Sequence, residues 1–170
     1  MTSLGNSAEA LAGLLATRQI RIVLAESCTA GLAAASLART PGISQWLCGS
    51  AVVYREATKQ RWLGVSRDDL EQHTAVSQPV AGQMALGALA HTPEADLAFS
   101  ITGHLGPDAP ARFDGLVFVA AARRRGDRCE VIGAWRHTLP GTERVARQEE
   151  AASLVLQHAA DIVEQYPTPA

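Results

Sequence analysis

The chain has 170 residues, of which 47% are apolar and 19% charged. That is enough apolar material for a full hydrophobic core and too little charge for a disordered chain. Fifteen Lys and Arg stand against 17 Asp and Glu, a formal net charge of −2, which leaves no basic footprint for nucleic acid or an anionic membrane.

Residues 7 to 18, "SAEALAGLLATR", carry Ala8, Leu11, Ala12 and Leu15 at helical spacing behind Ser7, a plausible N-cap. "IRIVLA" follows as a strand that is apolar on both faces, as expected where helices cover both sides of a sheet. "GLAAASLART" reads as a compact helix stopped by Pro41-Gly42, and "WLCGSAVVY" as a second strand. A short helix over "REATKQRWLGV" ends near Gly64, and Ser66 with Asp69 forms a capping box for the next. Ser77 opens a further helix, with Pro79 in its first turn. "ADLAFSIT", "GLVFVAAA" and "CEVIGAWRH" are strand runs, the last two joined in a hairpin through the solvated basic turn "RRRGDR". A final helix runs from about Glu143 to Tyr166, with Val145, Ala152, Leu156, Ala159 and Val163 on its inward stripe. The expectation is a three-layer α/β/α domain with a mixed sheet over residues 1–166, and a disordered tail at 167–170.

Three widely spaced cysteines, Cys28, Cys48 and Cys129, argue against a disulfide scaffold and for a reducing compartment, so a cytoplasmic location is expected. No CxxC or HExxH spacing marks a metal site, and the start of the chain has neither a leader pattern nor a membrane-length apolar run.

Three polar loops follow strand ends: "ESCTAG", "YREATK" and "ITGHLGPDAPARFDG". In open α/β sheets the ligand crevice forms at that edge. Ser27 or Thr29 can cap the helix that follows, leaving the other hydroxyl free. Ser27 is a candidate nucleophile beside helix N–H groups, and Cys28 is its rival. Glu26 either points into the pocket or anchors the loop through backbone N–H groups. For a base, His104 lies in the glycine-containing loop, and Lys59 would serve if its pKa fell by about 2 or 3 units. Thr102 and Gly103 sit where backbone N–H groups can hold an anion or a sugar hydroxyl. GxSxG, GxGxxG and GxxxxGK[ST] patterns are absent, which argues against an α/β-hydrolase elbow, a Rossmann dinucleotide site and a P-loop.

"AESCTAG" at 25–31, "AVVY" with Lys59, "LGVS", "HTAVS" and "ITGHLGP" together resemble the C-terminal domain family of the competence/damage-inducible protein CinA. The resemblance covers nearly the whole chain. It implies a compact, usually dimeric α/β/α domain that needs no metal or cofactor. It further implies a serine amidohydrolase converting nicotinamide mononucleotide to nicotinic acid mononucleotide and ammonia. Carried residue by residue, it makes Ser27 the nucleophile, with Tyr54 and Lys59 as proton relay. Thr29, Ala30 and Gly31 would offer N–H groups to the oxyanion, while Thr102, Gly103 and Arg147 would hold the substrate, Arg147 at a phosphate or carboxylate. The chain departs from the family pattern at Ala30, Arg55, Glu56, the shortened 104–114 loop and Glu143. Arg55 in the pocket, or the shorter loop, would change the amide accepted or leave a non-catalytic nucleotide-binding or regulatory homologue.

Overall fold

A computed structural model describes residues 3–167; of the expected tail only Pro167 falls within them. Five strands form one sheet in the order β2-β1-β3-β4-β5: β1 (Ile22–Glu26), β2 (Leu47–Val52), β3 (Leu97–Gly103), β4 (Leu116–Arg125) and β5 (Arg128–Thr138). β1 pairs in parallel with β2 and β3, whereas β4 runs antiparallel to both β3 and β5. The α-helices among the described residues are α1 (Ser3–Arg18), α2 (Leu32–Leu37), α3 (Glu56–Leu63), α4 (Arg67–His73), α5 (Gln78–Ala90) and α6 (Arg144–Gln165). One core joins α1, α2 and α6 to a sheet face through Leu11, Leu15, Phe99 and Leu156. The other joins α3, α4 and α5 to the opposite face through Leu63, Leu70, Met84 and Leu89. The molecule is therefore a three-layer α/β/α fold.

This topology gathers the functional loops. β1, β2 and β3 are parallel and end together at Glu26, Val52 and Gly103, with Glu26 paired to Val52 and to Ile101. Two antiparallel steps return β5 to the same direction, so the chain leaves Thr138 at this edge and delivers the first turn of α6 there. The carboxyl edge of the sheet thus receives four segments that lie far apart in sequence.

Most elements follow the pattern read from the sequence. Gly64 ends α3 at φ 67°, and Ser66 Oγ accepts the Asp69 N–H at 3.3 Å. Three details differ. Ser7, expected as an N-cap, lies inside α1, which begins at Ser3, and its hydroxyl donates to the Ser3 carbonyl at 3.1 Å. α2 ends at Leu37, short of the Pro41-Gly42 stop. Val145, expected on the buried stripe of α6, is 70% exposed, whereas Arg147 in the same turn is buried.

Candidate active site

The loop after β1 is organised by a carboxylate. Glu26 is buried, and its Oε2 accepts the Thr29 hydroxyl at 2.6 Å and the Gly31 and Ala33 N–H groups, each at 3.1 Å. Its Oε1 accepts the Ala34 N–H and the Ser50 hydroxyl, each at 3.0 Å. Neither Ser27 nor Thr29 caps α2; Glu26 satisfies the unpaired amides of its first turn from the end of the preceding strand. The chain reaches this arrangement through two consecutive left-handed residues, Ala30 (φ 53°) and Gly31 (φ 93°). The helix start over Thr29, Ala30 and Gly31 therefore does not offer its amides to a reacting oxygen. Gly31 N–H is bound by Glu26, Ala30 N–H by the Ser27 carbonyl, and none of the three residues lines the cavity described next.

A cavity of about 290 Å³ lies at the carboxyl edge, with Ser27, Lys59, Tyr54, Thr102, His104 and Arg144 in its walls. Lys59 is 1% exposed, and its Nζ donates to Ser27 Oγ and to the Val53 carbonyl, both at 2.8 Å. No carboxylate hydrogen-bonds to it, so burial works against the ammonium and lowers its pKa from 10.5 to about 8; Cys28 and Glu56 oppose the shift weakly. Burial also pushes the neighbouring Cys28 thiol up to about 12, which favours its protonated form and disfavours it as a nucleophile. The backbone N–H groups of Cys28 and Thr29 face the Cys28 sulfur and oppose that shift in part.

Around this dyad the other expected residues fall into place unevenly. The Thr102 hydroxyl donates to the Ala75 carbonyl at 2.8 Å, tying β3 to the "HTAVS" segment, and Ala75 and Val76 join the cavity wall. Gly103 is packed so closely on β4 that a Cβ there would meet Val117 Cγ1 at 2.4 Å. Tyr54 is exposed at the mouth, and its hydroxyl accepts from Arg144 Nη2 at 2.7 Å rather than bonding to Ser27 or Lys59. Arg55 is the exposed N-cap residue of α3 and lines no part of the cavity, so the charged side chain expected to crowd the pocket stands outside it.

Arg147 is likewise not in the cavity wall. It is buried, with Nη1 and Nη2 on the two Asp114 oxygens at 2.7 and 3.0 Å and further bonds to the carbonyls of Leu105 and Gly141. Its Nη donors are spent inside the protein, while Nε is buried without a partner among the described residues, and the side chain clamps the 104–114 loop to α6. The arginine that does line the cavity is Arg144, one turn earlier, which is outside the site set drawn from the sequence. The signal for it there is its place directly after Glu143, a position where the chain departs from the family pattern.

The family model of the CinA C-terminal domain matches residues 5–163, and the chain belongs to that family. It is 37% identical over 145 residues to a Shigella flexneri protein named nicotinamide-nucleotide amidohydrolase PncC, covering 84% of each chain. A CinA-like protein of Mycolicibacterium vanbaalenii is 41% identical over 150 residues; these are 87% of this chain but only 33% of that one, so here the chain spans about a third of a longer relative. Among solved structures, a competence/damage-inducible protein of Agrobacterium tumefaciens superposes with a TM-score of 0.85 at 27% identity, covering 95% of this chain and 96% of that one.

Proposed function

We propose that this chain is a serine amidohydrolase that converts nicotinamide mononucleotide to nicotinic acid mononucleotide and ammonia. The observation that carries the reading is the 2.8 Å contact between Lys59 Nζ and Ser27 Oγ, buried and without a carboxylate partner. With its pKa lowered to about 8, a share of Lys59 is neutral near physiological pH. The Val53 carbonyl accepts a hydrogen bond from one of its N–H groups, which orients the neutral amine so that its lone pair can take the Ser27 proton.

Ser27 Oγ attacks the carboxamide carbon as Lys59 takes its proton. The carbonyl oxygen becomes an oxyanion, whose charge the newly formed Lys59 ammonium beside Ser27 offsets. Lys59 then gives the proton to the departing nitrogen, with Tyr54 assisting at the mouth. Ammonia leaves, and Ser27 is held as an ester. Water, deprotonated by Lys59, hydrolyses that ester and restores the serine. The similarity to the Shigella protein over most of both chains supports the choice of substrate. Purified protein should release ammonia from nicotinamide mononucleotide, and Ser27→Ala should abolish it with the fold intact by circular dichroism; full activity in the variant would sink the reading.

A second reading is favoured by the small cavity and by the internal use of Arg147 and of the α2 amides. In it the chain cleaves a smaller amide, or binds a nucleotide without turning it over. Calorimetric binding of nicotinamide mononucleotide with no ammonia release would favour binding alone.

A further inference from the structure

Arg144 is the one arginine in the cavity wall, and it is exposed where the other wall cation, Lys59, is buried. It makes no ion pair among the described residues, and its guanidinium is held in place by neutral acceptors alone. Nη1 donates to the Gly106 carbonyl at 2.5 Å and Nη2 to the Tyr54 hydroxyl at 2.7 Å. These two partners belong to different walls, the β3–β4 loop and the segment after β2, so the side chain bridges the mouth from the first residue of α6. A guanidinium has five N–H donors in a planar fork. Two neutral bonds leave donors unspent and its charge uncompensated, whereas Arg147 three residues on has both its charge and its Nη donors satisfied by Asp114 and carbonyls.

The charges around the mouth agree. Lys59 stands at the floor, Arg144 at the rim, and the only carboxylate in the wall is the exposed Asp108. From the sequence, Arg147 was the candidate for a phosphate. Arg147 lies outside the cavity wall, and Arg144 stands in it, exposed where Ser27 and Lys59 are buried.

Resting on the amidohydrolase reading, we infer that Arg144 is the specificity-determining residue of the site and takes the anionic group of the substrate, a phosphate monoester, at the cavity mouth. On binding, the phosphate accepts from the guanidinium in the two-pronged geometry suited to that pair, and the bond to the Tyr54 hydroxyl is given up. The enzyme thereby selects a phosphorylated nucleotide amide over the same nucleoside amide without its phosphate.

The experiment compares ammonia release from nicotinamide mononucleotide and nicotinamide riboside by the wild-type chain, Arg144→Met and Arg144→Lys. The ratio of kcat/KM for the mononucleotide to that for the riboside should fall about 10- to 100-fold in Arg144→Met, mostly through KM, with partial recovery in Arg144→Lys. A general loosening of the mouth would lower both substrates together and leave the ratio in place, and that result would overturn the inference. If the wild-type chain releases ammonia from neither, the amidohydrolase reading fails on its own. Calorimetry of the same two ligands then decides the inference: a preference for the mononucleotide that Arg144→Met removes upholds the anion site, and equal or absent binding overturns it.

Discussion

Lys59 and Arg147 are both cations withdrawn from water, at 1% and 4% exposure, yet their surroundings drive them in opposite directions. Arg147 meets Asp114 through two parallel bonds; these raise its pKa first of all, and the same contact holds the Asp114 carboxyl below its ordinary range. Lys59 meets a hydroxyl and a carbonyl, neither of which neutralises it, and burial lowers its pKa to about 8. A buried cation given a carboxylate is locked and structural. One denied a carboxylate is a base held in reserve, maintained at a cost in stability.

The largest effect that can break this comparison is on turnover. Lys59→Met should lower ammonia release by at least about 10³-fold, as should Ser27→Ala, because the two act as one unit. kcat/KM of the wild type should rise as pH increases through about 8, where Lys59 loses its proton. A flat profile between pH 6.5 and 9 would remove Lys59 as the base.

Stability should follow the same group. The unfolded chain holds this proton up to 10.5, the folded chain only up to about 8. Between those values the unfolded state binds more protons, so the folded state gains stability as pH rises across the window; below about 8 the penalty is constant. It amounts to about 3 kcal/mol against the charged form. Lys59→Met should thus fold at pH 7 at least as stably as the wild type while being inactive, which thermal melts would show. Asp114 works in the other sense: its contribution is present above the ordinary carboxylate range and is lost as pH falls through the lowered folded value.

Arg147→Met sharpens the contrast from the structural side. It strips the 104–114 loop of its clamp, leaving the carbonyls of Leu105 and Gly141 without that donor. The melting temperature should fall by roughly 5 °C or more. The loss in kcat/KM should come from a displaced loop and lie far below that of Lys59→Met. Equal losses in the two variants would mean that Arg147 also works on substrate. Smaller still is the effect expected at Cys28: with its thiol pushed up to about 12, Cys28→Ala should keep most of the activity, and a thiol reagent should inactivate the wild type slowly if at all.

The layers and the position of nearly every helix and strand were legible because period and punctuation are local properties: Gly64 and Ser66 act on their neighbours. The pairing of Ser27 with Lys59 was not local. Thirty-two residues separate them, and only the ordered motifs of the family suggested their meeting. Least legible was the choice between Arg144 and Arg147. They lie three residues apart in the first turn of α6, and which of them turns inward depends on Asp114, a residue of the distant loop. Glu26 shows the same limit from the other side: capping rules look to the residue next to the helix, whereas here the cap comes from five residues before Gly31, at a strand end.

The smallest effect concerns Ala30, one of the positions at which the chain departs from the family pattern. Its φ of 53° lies in the left-handed region, where a Cβ crowds the following carbonyl at about 1–2 kcal/mol per residue. Ala30→Gly removes that crowding but lets the unfolded chain roam more widely, which takes back about 0.4–1 kcal/mol. Because Ala30 is exposed, its methyl gives up no packing when it is removed. The net gain should be up to about 1 kcal/mol, or about 2–4 °C in melting temperature. Glu26 fixes the loop from both sides of this residue through Thr29 and Gly31, so the left-handed turn is imposed and the strain has nowhere to relax. An unchanged melting temperature would mean that the loop yields at Ala30, and that the Glu26 carboxylate holds the start of α2 less firmly than its five bonds imply.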